Sequence, residues 1–151
     1  MAAQSGPVGE RGVKYALRPW ASVGYFVIFA VAAAAGLGAY SSGVRIPAVE
    51  SAVPDFYSHA SNLTLSLLPM LMYGLIRLLY AARMRELLIV GLVIVAGNFI
   101  YEGLLTLWNT KDLTDAWYGT AGVLVALALL TLIRGWGLKP KAAADQAGHQ
   151  D

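Results

Sequence analysis

Four long apolar stretches separated by short polar links make up most of this chain, and the polar residues that interrupt them carry the information. Residues 20–40 run for 21 positions without a charge, the length a helix needs to cross the hydrocarbon core of a bilayer. A loop punctuated by Ser41, Ser42, Gly43, Pro47 and Pro54 follows. Asp55 then opens a second span over about 56–76. Along it Asp55, His59, Asn62, Ser66, Pro69 and Tyr73 recur at steps of 4, 3, 4, 3 and 4, which is one face of a helix. That stripe is expected to turn away from lipid, toward other helices or a cavity, with Pro69 bending the helix.

The third span is expected over about 87–107, with Asn98 and Glu102 four residues apart and Gly91 on the same face. The fourth, about 116–133, is led by Asp112 and Asp115, and Asp115, Gly119, Gly122 and Ala126 line one side of it. Small residues in such a row let a second helix approach closely. Ala32 with Gly36, and Ala34 with Gly38, offer the same spacing in the first span. Residues 1–19 read as a flexible cytoplasmic lead-in and 137–151 as a disordered tail, flanking a transmembrane domain over 20–136. A signal peptide competes for the first apolar stretch, but its length and the want of a clear cleavage site favour a span.

Composition agrees with the pattern: 58% of the residues are hydrophobic, 13% are charged, and the mean hydropathy is +0.59. A net charge of +2, scattered between apolar stretches, excludes nucleic acid as a partner and leaves the lipid bilayer as the first one. With no cysteine there is neither a disulfide framework nor a thiolate ligand or nucleophile. Basic residues set the orientation. Arg11, Lys14 and Arg18, then Arg77, Arg83 and Arg85, then Arg134, Lys139 and Lys141 alternate with links that hold only Arg45 and Lys111. Nine against two predicts an all-α bundle of four transmembrane helices with both termini in the cytoplasm, here of a bacterial inner membrane.

That topology brings Asp55 and His59, Glu102, and Asp112 with Asp115 to similar depth at the outer side. Ionisable groups at membrane depth are costly and call for partners or a purpose. The candidate ligand-binding residues are therefore His59, Asn98, Glu102 and Asp115, with Asp55 and Asp112 behind them. Clustered carboxylates beside an imidazole could exchange protons or hold a cation. No spacing here is diagnostic of a metal site, none is assigned, and no cofactor is identified. Three functional readings stand. The first is a pocket for a cell-envelope ligand, lipid-linked or cationic. The second is an accessory subunit docking a membrane-protein partner on the small-residue faces of spans one and four. The third is a proton- or cation-coupled carrier. Each carboxylate also has a plainer reading: Asp55 as a helix-start charge, Asp112 as an exposed loop charge, and Glu102 or Asp115 as half of a structural pair, Lys111 being the nearest cation.

Asp55-Phe56-Tyr57-Ser58-His59, then Glu102, then Asp115 with Gly119 and Gly122, resembles the VanZ-like family of small bacterial membrane proteins, over about residues 55–130. The chain departs from that pattern at Leu105, where the family has glutamine, at Lys111, the nearest substitute for an arginine, and at Gly119, where asparagine is common. The resemblance implies a cell-envelope setting and no particular reaction.

Overall fold

The computed structural model describes residues 12–41, 45–104 and 112–141. Within them the chain is mostly helical, in the order β1 (Tyr15–Leu17), α1 (Pro19–Ser41), α2 (Pro47–Ala52), α3 (Phe56–Leu79), α4 (Met84–Leu104), α5 (Leu113–Leu132), a wider turn of π type (Ile133–Gly137) and β2 (Leu138–Pro140). Four helical stretches, Pro19–Gly36, Phe56–Leu79, Met84–Gly103 and Leu113–Gly137, are each long and apolar enough to cross a membrane.

The bundle is built around α5. It packs along α3 on one side and α4 on the other, while α3 and α4 touch each other little and α1 covers the far side of α3. Small residues make these approaches possible. A Cβ at Gly122 would meet the carbonyl oxygen of Leu63, and one at Gly36 would lie 2.6 Å from Thr64 Cγ2. The small-residue face of the fourth span is therefore occupied inside the chain, and so is Gly36 of the first. Met70, Leu71, Leu78, Leu87, Ala126 and Leu130 close the core with no exposed surface to speak of. That core fills the half of the bundle near the chain ends, and the polar residues gather in the other half. Val23, Phe26, Val27 and Val31 of α1 and Leu88, Ile89, Leu92 and Val93 of α4 point outward, as helices do when lipid is their solvent.

Several boundaries move from the sequence expectation, each for a local reason. The second span runs on to Leu79 because Arg77, taken for the start of a link, stays helical with its charge matched by Glu86: Arg77 Nη2 donates to Glu86 Oε2 at 2.9 Å, Arg77 Nε also pairs with Glu86, and Tyr73 Oη donates to the same carboxylate at 2.7 Å. The helix ends in a Schellman arrangement, Ala82 N to Arg77 O at 2.9 Å and Ala81 N to Leu78 O at 3.0 Å, with Ala81 at φ 63°. The third span starts early, at Met84, with Glu86 in its first turn where a negative charge suits the helix dipole. The fourth starts at Leu113, because the Asp112 side chain accepts from Thr114 N at 2.9 Å and caps it. The loop before α3 contains the short helix α2, held by Tyr57 Oη accepting from Ile46 N at 2.7 Å.

The largest departure lies at the chain ends. Residues 15–17 and 138–140 were read as flexible lead-in and disordered tail, yet they pair as antiparallel strands, Tyr15 with Pro140 and Leu17 with Leu138. Arg18 N bonds Gly137 O at 2.8 Å, Lys14 N bonds Leu79 O at 2.9 Å, and Lys141 N bonds Lys14 O at 3.0 Å. These bonds satisfy backbone groups where the helices run out. Lys14, Arg18, Arg77, Arg83, Arg85, Arg134, Lys139 and Lys141 all belong to this end of the bundle. Residues 142–151 and the 105–111 link, with Leu105 and Lys111, lie outside the described residues.

Candidate functional site

At the opposite end the polar stripe of α3 meets α5. His59 Nδ1 stands 2.6 Å from Asp115 Oδ1 and 4.0 Å from Asp112 Oδ2. An ionised carboxylate only accepts, so Nδ1 carries the proton whenever Asp115 is charged. Both partners are largely enclosed, with 12% and 13% of their side chains exposed, whereas Asp112 keeps 42%. Tyr118, one turn after Asp115, stacks on the imidazole at 5.0 Å between ring centroids and 29° between planes, fixing how the ring faces the carboxylates. Hydrogen bonds from Thr114, its hydroxyl first and its amide second, hold the Asp112 carboxyl below the usual aspartate value, with the charge of His59 as a smaller influence.

Two turns deeper, Asn98 Nδ2 of α4 donates to Ser66 Oγ of α3 at 2.9 Å, across the face of Gly119. A Cβ at Gly119 would run into Asn98 Nδ2 and reach 2.9 Å from Ser66 Oγ, so glycine there is what lets the amide cross. Glu102 follows Asn98 by one turn and is only 6% exposed. The Asp112 backbone amide hydrogen-bonds its carboxylate, and among the described residues Glu102 makes no ion pair.

These groups surround one cavity of about 570 Å³, lined by Ser58, Ser61, Asn62 and Ser66 from α3, Asn98, Tyr101 and Glu102 from α4, and Asp115 from α5, with Leu65 and Ile94 as its apolar wall. Leu65 is 69% exposed and Tyr101 48%, so the cavity opens on the flank of the bundle between α3 and α4. The gap exists because those two helices barely touch and α5 backs both.

Of the six sequence candidates, His59, Asp112 and Asp115 come together, and Asn98, Glu102 and Asp115 line the cavity. Asp55 does not join them. It stands exposed at the cap position of α3 with no side-chain capping bond. Pro69 and Tyr73 depart from the stripe as well: Pro69 is exposed, and Tyr73 is half-exposed and turned to Glu86. Ser61 and Tyr101 were not singled out in the sequence, Ser58 stood only within the run that carries the resemblance, and Tyr118 was placed at the membrane interface rather than among the site residues. Tyr118 was within reach of the helical spacing rule, three residues after Asp115, while the serines and Tyr101 carry no signal of their own. Arg45, in the link before α3, pairs with Glu50 at 2.8 Å and lies over the Tyr57 ring, so it is spent outside the cavity.

Sequence spacing assigned no metal set. The fold nevertheless puts one ligand-type atom from each of His59, Asp112 and Asp115 within 4.8 Å of one another. Compared with protein-family models, with curated proteins and with solved structures, the chain gives no match.

Proposed function

We propose that this chain is a VanZ-like, multi-pass protein of the bacterial inner membrane, with both termini cytoplasmic and a polar cavity on the outer half that binds a lipid-linked cell-envelope ligand. The observation that carries this reading is the flank opening of a cavity rich in hydroxyl, amide and carboxyl groups. A ligand with a polar head and a hydrocarbon tail can place the head among Asn98, Ser66, Glu102 and Asp115 through the gap between α3 and α4 and leave the tail in the bilayer. A free cation would need no such slot. Exposed backbone and polar side chains at membrane depth are tolerated where they line a cavity of this kind.

Two further points support it. Eight Lys and Arg side chains among the described residues belong to one end of the bundle, and the acidic residues around the cavity to the other. Gly119 breaks the VanZ-like pattern by lacking asparagine, yet Asn98 of the facing helix puts an amide nitrogen where a side chain at 119 would begin. The amide is supplied from α4 instead. The accessory-subunit reading draws no support from the small-residue face of α5, since Gly119, Gly122 and Ala126 are buried against neighbouring helices.

The test is lipid retention. Protein extracted in mild detergent and analysed by native mass spectrometry should carry a polar-headed lipid. Asn98→Leu, which fills the cavity, and Glu102→Gln should lose it while staying monodisperse. No retained lipid, or equal retention by both variants, overturns the reading. Orientation is tested separately: the cysteine-free chain accepts single labels, and Ser51→Cys should react with an impermeant maleimide on intact cells while Arg83→Cys should not.

A further inference from the structure

We infer that the groove between α1 and α5, at the basic end of the bundle, binds an anionic diacyl phospholipid, with one acyl chain along the groove and the phosphate at its mouth among Trp20, Trp136 and Arg18. The hollow measures about 210 Å³. Gly24 and Ile28 of α1 line one wall, Leu129 and Leu132 of α5 the other, and the buried Leu71 of α3 forms the floor. It exists because α1 packs on α3 and meets the turn after α5, while among the described residues it hardly touches α5 itself. Gly24 keeps it open, since a Cβ there would meet nothing within 4 Å. Gly137 abuts Ala21, a Cβ on the glycine lying 3.0 Å from Ala21 Cβ, and this contact brings their neighbours Trp136 and Trp20 to the same end of the groove.

An apolar slot in a surface that faces lipid takes a hydrocarbon chain, and the charge at its mouth selects the lipid. Both indoles are exposed, as tryptophans at head-group depth are, and each ring N–H can only donate. Arg18 precedes Trp20 by two residues and its amide bonds Gly137 O at 2.8 Å, so this exposed residue belongs to the joint between the two walls. Arg134 is exposed in the same turn as Trp136. Among the described residues, eight Lys and Arg belong to this end, and its one carboxylate, Glu86, is taken by Arg77 and Tyr73. A basic pocket between membrane helices, with no acid left to offset it, attracts an anionic head-group, whose phosphate oxygens meet donors. A zwitterionic lipid would fit the groove as well but would bring a cation of its own to a mouth already positive.

The groove lies at the opposite end from the polar cavity, and the inference does not rest on how that cavity is used. The probe is phosphatidylglycerol with brominated acyl chains, set against brominated phosphatidylcholine at the same mole fraction in vesicles holding the full chain. Bromine quenches tryptophan only at close range. Trp108→Phe with Trp117→Phe leaves Trp20 and Trp136 as the remaining indoles of the four, so the signal comes from the groove. Phosphatidylglycerol should be preferred about fivefold or more, the effect of a single cation at an anionic lipid surface. Gly24→Leu fills the groove from a position where a Cβ meets no obstacle, alters no charge, and should abolish the preference. Arg18→Gln with Arg134→Gln should bring phosphatidylglycerol down to the level of phosphatidylcholine. Gly97→Leu, at an equally open position on α4, should leave the preference intact. Equal quenching by the two lipids, as when a second protein chain covers the groove, overturns the inference. So does a preference that survives Gly24→Leu or the loss of both arginines, or one that Gly97→Leu removes as well.

Discussion

Replacing Gly122 by alanine tests the feature that holds the site together. A methyl group there would collide with the Leu63 carbonyl oxygen and come within 3.2 Å of Leu63 C and Leu67 N. All three obstacles are backbone atoms, so no side-chain rotation relieves them. The helices must separate, by about 1 Å to restore ordinary contact, and a gap of that size forfeits a quarter to a half of the dispersion attraction along the seam. Inserting a methyl into a packed interface typically costs about 1–3 kcal/mol, and a rigid obstacle argues for the upper part of that range. The roughly 1 kcal/mol by which alanine usually improves on glycine in a helix gives little relief here. A transmembrane helix stays helical when it dissociates from its neighbours, so the preference largely cancels. Leu63 lies one turn after His59, so the same displacement should stretch the 2.6 Å contact between His59 and Asp115. The assay is unfolding of the protein in nanodiscs, with Gly97→Ala as control, because nothing lies within 4 Å of a Cβ at Gly97. Gly122→Ala should lose about 1–3 kcal/mol and Gly97→Ala should stay within about 0.5 kcal/mol of the parent. Equal stability of the two variants would refute the argument that backbone contact sets the spacing of α3 and α5.

Two other outcomes are expected. Ala81→Gly should stabilise the protein by about 1 kcal/mol, because φ 63° strains any residue with a Cβ and glycine relieves it; thermal unfolding checks this, and a lower melting temperature would contradict it. For Asp112, the Thr114 hydroxyl and then its amide favour the charged carboxyl in the folded state, so the stabilisation is complete above the ordinary aspartate value of 3.8 and is lost as pH falls through the lower folded-state value. Melting temperatures of wild type and Asp112→Ala should therefore converge as the pH falls below 3.8, and a constant difference would count against the cap.

The four spans were legible because apolar length is a coarse signal that no local contact can hide. The helical step of the α3 stripe found His59 and Ser66, and the same rule found Asn98 with Glu102 and Asp115 with Gly119. What it could not supply was rotation. Asp55 and His59 share a row, yet only His59 faces α5, because the end of a helix can face outward while the next turn is buried. Helix ends were misread where charge was taken as a sign of a link. Arg77 sits inside α3 because Glu86 answers it across the turn, and no glycine marks the stop that Ala81 makes. The three-residue strands were invisible for a simpler reason: a run as short as Tyr15–Leu17 has no room for the alternation that identifies a strand.

The clasp made by β1 and β2 bears on the order of assembly. Its second half, Leu138–Pro140, leaves the ribosome only after all four apolar helices, so the Arg18 amide, whose partner is Gly137 O, must wait until α5 has been made. Until then the segment before α1 has the Lys14 amide bond to Leu79 O to draw on and lacks the strand pairing. Closure of the clasp is then a late step, joining the segment before α1 to the one after α5 and, through Lys14 on Leu79, to the base of the helix that presents His59.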